Sequence, residues 1–205
     1  MTIRFYSWPR SSGSRVQWAL EELGLQYEYI KLDRSKNEHK SADYLAINPN
    51  GKVPTLVDDG KVLFDSLAIL LHLGERYGVD RKLWPAGAKE RAEALSWMTW
   101  SYTELLNFMM QYLYHGLDTP MSYKPDQRSK ATADYNFANF SHHLDMLEMH
   151  LRGREYMMGS FSLVDVPIAS GLRFGTMVGA SLGARPAVAA WLGRCAGRPA
   201  IARAE

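Results

Sequence analysis

The chain has 205 residues, 46% of them apolar, and a formal net charge of +2. That size admits one large domain or two small ones with a real core, and the scattered lysines and arginines argue against a dedicated nucleic-acid surface. The single cysteine, Cys195, excludes an intrachain disulfide and a CxxC redox pair. No run approaches the roughly 20 apolar residues of a membrane span, and the opening residues lack the basic and apolar regions of a secretory leader, so a cytoplasmic protein is expected.

Residues 3–7 are short and partly alternating, as a strand should be, and Pro9 ends them. Val16, Ala19, Leu20 and Leu23 then recur at helical spacing, with Glu21 and Glu22 outside and Gly24 as the stop. Tyr27, Tyr29 and Ile30 suggest a second strand, and residues 41–47 a short helix. Residues 54–57 and 62–64 read as two strands around Asp59-Gly60, a turn that needs positive φ. Residues 66–77 read as a helix carrying Leu67, Leu70 and Leu71, closed by Gly78. The order βαβα then ββα is thioredoxin-like. A first domain over 1–79 and a linker over 80–87 follow.

The rest, 88–205, reads as all-α. A long helix rich in aromatics and methionine covers residues 89–115. A loop with Pro120 and Pro125 follows, then a helix over 129–152 carrying Phe140, Leu144, Leu147 and Leu151, with Gly153 after it. Ser162-Leu163-Val164-Asp165 has the form of a capping box, with Asp in place of Glu or Gln. A last short helix spans 186–196. Gly171, Gly175 and Gly179, four residues apart, predict close helix packing.

The segment Asn48-Pro49-Asn50-Gly51-Lys52-Val53-Pro54-Thr55, followed by Asp65-Ser66, resembles the glutathione-binding signature of the cytosolic glutathione S-transferases. The resemblance extends along nearly the whole chain, through the Ser-x-x-Asp box to Trp191 and Arg198-Pro199-Ala200. It implies the fold of that family, an α/β thioredoxin-like N-terminal domain plus an all-α C-terminal domain. It also implies glutathione as co-substrate and a homodimer. Val53, before a cis Pro54, would offer its backbone to the cysteine of glutathione. Asp65 and Ser66 would hold the γ-glutamyl end, and Lys52 the glycine carboxylate.

Such a transferase must ionise a thiol. At a pKa near 8.5, only about 3% of a free thiol is ionised at pH 7, and a shift of about two units takes roughly 2.7 kcal/mol. A hydroxyl donor and the positive end of a helix can supply that. The loop Trp8-Pro9-Arg10-Ser11-Ser12-Gly13-Ser14-Arg15 offers the donors. Counting back from Arg15, by resemblance to serine-type relatives, places Ser11 at the activating position. An alignment one residue later places Ser12 there. Ser14 is expected to cap the helix, and Tyr6 to pack in the core. A Ser-Ser-Gly-Ser loop is also what any helix start looks like.

The second substrate, an apolar electrophile, would meet the long helix, where Tyr102, Met109, Met110, Tyr112 and Tyr114 are candidates for an adaptable pocket. The same stripe also fits plain core packing. His142 and His143 point apart on a helix and His150 lacks a third ligand, so no metal is expected. The expectation is therefore a glutathione transferase with a detoxifying or catabolic role. The alternatives are a non-catalytic glutathione- or ligand-binding protein on the same fold and a glutathione-dependent peroxidase or disulfide reductase.

Overall fold

The computed structural model describes residues 2–204. Contacts divide the chain into two compact units, residues up to Ala86 with those from Arg198 on, and Gly87–Gly197.

The first unit is built on a four-stranded sheet. β1 (Ile3–Ser7) pairs in parallel with β2 (Glu28–Lys31) across the intervening helix α1 (Gly13–Glu22). A parallel pair requires such a crossover. β3 (Thr55–Asp58) runs antiparallel to β1, and β4 (Lys61–Phe64) closes the order β2-β1-β3-β4. The β3–β4 turn is Asp59-Gly60, with φ of 48° and 84°, the two-residue geometry that matches hairpin twist. Successive strand residues face opposite ways. Phe5 and Leu56 are therefore buried with Trp18, Leu20, Ile69 and Leu70 on one face. Tyr6 and Val57 join Leu32 and Tyr44 on the other. Tyr44 belongs to α2 (Ala42–Ile47), whose start is capped by Ser41, its side chain accepting from the Tyr44 N–H at 3.2 Å.

The helix α3 (Ser66–Leu73) runs on into one wider π turn, Gly74–Gly78. Gly78 closes it, as expected, without a left-handed backbone. Its reason is steric: a Cβ there would stand 2.7 Å from Trp84, which is 3% exposed and covers this turn. The Trp84 indole donates to Glu75 at 2.8 Å. The segment expected as a linker is thus anchored to the first unit.

One carboxylate organises the far end of α3. Asp58 is fully buried and accepts from the Tyr77 hydroxyl at 2.8 and 2.9 Å and pairs with His72 Nε2 at 2.7 Å. Burial first, then the Asp58 carboxylate, pushes Tyr77 up to about 12. The free phenol titrates near 10, so the stabilisation is complete below about pH 10 and is lost as pH rises towards the folded value. The urea midpoint should fall more steeply from pH 10 to pH 12 in the native protein than in Tyr77→Phe, as measured by circular dichroism.

The second unit is all-helical. α4 (Ala88–Trp100), a π turn at Ser101–Leu105 and α5 (Leu106–Gly116) make the long helix that the sequence predicts. α6 (Lys130–Leu151) begins at Ser129, whose side chain accepts from the Thr132 N–H at 3.2 Å, and ends before Gly153 at φ 72°. α7 (Asp165–Met177) and α8 (Pro186–Ala196) complete the unit. The glycines of α7 do mark close packing: a Cβ on Gly171 would run into the Leu106 side chain. Of the expected capping box the Asp165 arm forms, while the Ser162 hydroxyl accepts from the Val164 N–H at 3.3 Å in place of the Asp165 N–H; Asp165 is the hub. Its carboxylate accepts from the Ser162 N–H at 2.9 Å, the Ser162 hydroxyl at 3.2 Å, the Met157 N–H at 2.9 Å and the Trp191 indole at 2.8 Å. Burial pushes Asp165 above the ordinary carboxylate range, against the pull of these donors. Cys195 is buried.

Among the described residues no helix is long and apolar enough to cross a membrane, and no group of three His, Cys, Asp or Glu side chains is placed to hold a metal ion. His150 lies tilted against Trp97 at 4.2 Å, and His143 stacks on Phe108 at 5.3 Å.

The sequence reading assigned residues 88–205 to the second domain, but the chain from Arg198 on packs with the first unit. Arg198 makes two charge-assisted bonds to Glu22, at 2.6 and 2.7 Å, and α9 (Pro199–Arg203) contacts α1. A fork onto a nearly buried carboxylate is among the strongest surface-to-core ties available to a short tail.

Candidate active site

The expected peptide-binding residues converge at one end of the first unit. The Val53-Pro54 bond is cis. Thr55 pairs with Phe64, so the chain positions just before β3 and just after β4, Pro54 and Asp65, lie next to each other. Asp65 has φ 70° and caps α3, its carboxylate accepting from the Leu67 N–H at 2.9 Å. A non-glycine residue in that region costs about 1–3 kcal/mol and persists where its surroundings dictate it. Ser66 is nearly buried as the first residue of α3.

The loop before Pro54 is held by Asn48 of the signature segment and by Tyr44 and Lys40, to which the sequence alone assigns no role there. Asn48 Nδ2 donates to the Lys52 carbonyl at 2.8 Å and to Thr55 Oγ1 at 2.9 Å. The Tyr44 hydroxyl reaches the same carbonyl at 2.7 Å and the same hydroxyl at 2.7 Å. Lys40 Nζ donates to the Gly51 carbonyl at 2.7 Å. The His39 ring stands edge-on to Trp8 at 5.2 Å, and its buried Nδ1 has no hydrogen-bond partner. Lys52 itself is exposed. Of the basic side chains near the loop, Lys40 is the one that bonds its backbone, at the Gly51 carbonyl. The only sequence signal for His39 and Lys40 was their place ahead of α2.

The two candidate serines have different surroundings. Ser11 is knotted into the loop. Its hydroxyl donates to the Trp8 carbonyl at 2.8 Å, accepts from the Gly13 N–H at 3.1 Å and lies 3.0 Å from the Ser7 hydroxyl. It is Ser11, not Ser14, that serves the helix start; Ser14 is already the second residue of α1. Gly13 is required by this packing, since a Cβ there would run into the Ser7 side chain. Ser12, at the N-cap position of α1, makes no capping bond with its side chain. Its exposed hydroxyl instead donates to the Val53 carbonyl at 3.2 Å. Ser12 and the Val53 backbone are thus in contact, at the positive end of α1.

The apolar candidates belong to the second unit and do not share one face. Met109 is 1% exposed and packs against Gly175 of α7, so it is core and not a surface open to a substrate. Tyr112 meets Phe137 at 5.0 Å and Tyr114 meets Tyr123 at 5.2 Å. Tyr102 and Met110 are half-buried.

The profile of the glutathione S-transferase N-terminal domain matches residues 1–75, and that of the C-terminal domain residues 108–199. Glutathione S-transferase GstB of Escherichia coli K12 is 32% identical over 95% of this chain and 94% of its own. A glutathione transferase from Burkholderia graminis, solved with two glutathione molecules bound per subunit, is 28% identical with a TM-score of 0.85, covering 99% of this chain and 87% of its own. The nitrogen regulation fragment of the yeast prion protein Ure2p shares the fold, at a TM-score of 0.86 and 22% identity over 98% of this chain and 95% of its own. A thioredoxin-like unit with a cis proline before its third strand, followed by a helical unit, defines the fold class. The chain belongs to the glutathione S-transferase superfamily.

Proposed function

We propose that this protein is a glutathione transferase in which Ser12 activates the thiol of glutathione for attack on an apolar electrophile. The observation that carries the choice is the contact between the Ser12 hydroxyl and the Val53 carbonyl. When the cysteinyl N–H of glutathione takes the Val53 carbonyl, the Ser12 hydroxyl loses its acceptor and turns to the sulfur. A hydroxyl donor and the N-terminal end of α1 then both favour the thiolate. Ser11 has no such freedom, because its one proton is committed to Trp8 at 2.8 Å.

The rest of the tripeptide follows the same residues. Asp65 pairs with the α-ammonium group, and Ser66 and the start of α3 take the γ-glutamyl carboxylate. Lys52, with Lys40 and His39, faces the glycine carboxylate. Met110 and Tyr114, four residues apart on α5, and Tyr102 supply apolar surface for the electrophile. Tyr112 is covered by Phe137 and contributes less. The working protein is a homodimer with glutathione as co-substrate.

The test is the ultraviolet absorbance of glutathione thiolate on the purified protein, titrated with pH. The bound thiol is expected to titrate about two units below its free value. Binding with no lowered pKa would leave a glutathione-binding module. A second reading is glutathione-dependent disulfide reduction. It is favoured by the Burkholderia relative with two glutathione molecules bound per subunit. With Cys195 fully buried, that chemistry would run through glutathione's own sulfur. Turnover of a mixed disulfide faster than of an aromatic halide would select it.

A further inference from the structure

The two halves of the peptide site are carried by two elements that touch again at their far ends. β3 starts beside Pro54 and ends at Asp58; α3 starts beside Asp65 and runs to His72 and the π turn. At the far end the buried Asp58 carboxylate joins His72 Nε2 at 2.7 Å and the Tyr77 hydroxyl at 2.8 Å. Arg76 adds a 3.5 Å contact to Asp58 and a 2.6 Å bond to Asp59 of the hairpin turn.

We propose that this clasp positions the γ-glutamyl end of glutathione, with His72 as a positioning residue that acts through α3. The assignment rests on the glutathione reading above. His72 touches no substrate: it lies six residues along the helix from Ser66, about 9 Å at 1.5 Å per residue. Its lever is direction. Ile69, Leu70 and Leu73 hold α3 on the sheet by apolar burial. Such burial is non-directional and lets a helix slide or turn by a fraction of a residue. Hydrogen bonds to a fixed, buried carboxylate do not. They set the axial position and rotation of α3, and so where Asp65 and Ser66 stand against Val53. The left-handed backbone at Asp65, φ 70°, needs such outside restraint.

The experiment compares two probes on native protein, His72→Ala and His72→Gln. S-hexylglutathione carries the γ-glutamyl group, and S-hexyl-cysteinylglycine lacks it. His72→Ala is expected to weaken S-hexylglutathione roughly tenfold, as misplacement by a fraction of an ångström does, and to leave the shorter probe within about twofold. KM for glutathione should rise by the same factor with kcat nearly unchanged. His72→Gln, which keeps a donor, should restore most of the loss. In ligand-free protein, amide exchange at Leu67 and Ile69 should quicken in His72→Ala while that of β3 does not. Equal loss of both probes, or unchanged affinity and unchanged exchange, overturns the clasp while leaving the glutathione reading intact. Native protein that binds neither probe overturns the glutathione reading and the clasp with it.

Discussion

Replacing Ser12 by alanine is expected to raise the pKa of bound glutathione by about 1.5 to 2 units and to cut thiolate at pH 7 roughly tenfold or more. kcat/KM towards an aromatic halide should fall by the same factor. The acid limb of its pH profile should move up, because the variant needs a higher pH to ionise the same fraction of thiol. Glutathione affinity should change little, since the Val53 backbone, Asp65 and Ser66 remain. Ser11→Ala should behave oppositely. The thiol keeps its lowered pKa, while the protein loses about 1 kcal/mol because the Gly13 N–H at the start of α1 loses its acceptor. Stopped-flow absorbance for the thiolate and urea unfolding for stability separate the two serines. A thiol pKa that moves in Ser11→Ala and not in Ser12→Ala would reverse the assignment.

Asp165→Ala should be the most destabilising single substitution in the second unit. It leaves three buried N–H groups, those of Ser162, Met157 and the Trp191 indole, without the acceptor they now share. Each orphaned donor costs on the order of 1–3 kcal/mol, and the loss of a buried network of this kind reaches about 4–5 kcal/mol. Against a domain stability of roughly 5–15 kcal/mol, that leaves a protein close to unfolding at 37 °C. Trp191→Phe removes one donor without stranding another, and should cost far less. Urea denaturation followed by tryptophan fluorescence, with Trp191→Phe as the companion, reads both. If the two variants were equally destabilised, Asp165 would be acting through Trp191 packing and not as an acceptor hub.

The adjacency of Val53-Pro54 and Asp65-Ser66 was legible in the sequence because a two-residue Asp-Gly turn fixes the register of the strands on either side. Given Asp59-Gly60, Asp58 must oppose Lys61 and Thr55 must oppose Phe64. The helix over 66–77 and the box at Ser162 were legible for the same reason: local periodicity and capping chemistry decide them. Tertiary partners decided the rest. Which serine serves the helix depends on Ser7 and Trp8 folding back over Ser11. Why Gly78 closes the helix was not legible, because a glycine in a left-handed turn and a glycine that admits a tryptophan look alike in one dimension. Whether Met109 meets a substrate or the core stays open in the sequence, because a Met- and Tyr-rich stripe fits either; its packing against Gly175 of α7 decides for the core. Asp58 joins residues 14 and 19 positions away, beyond any local pattern.

The pairing of Arg198 with Glu22 also has a consequence in time. Glu22 is nearly buried on α1 and also receives the Trp18 indole at 2.9 Å, yet its cationic partner comes 176 residues later. During synthesis the first unit emerges with this carboxylate uncompensated and the α9 contact missing, and stays so until the ribosome has delivered the whole helical unit. N-terminal domains commonly mature first as they leave the ribosome. Here the sheet can form early, but its tie to Arg198 is made only after residues 87–197 have been synthesised, so that closure of the first unit reports that the second has been made.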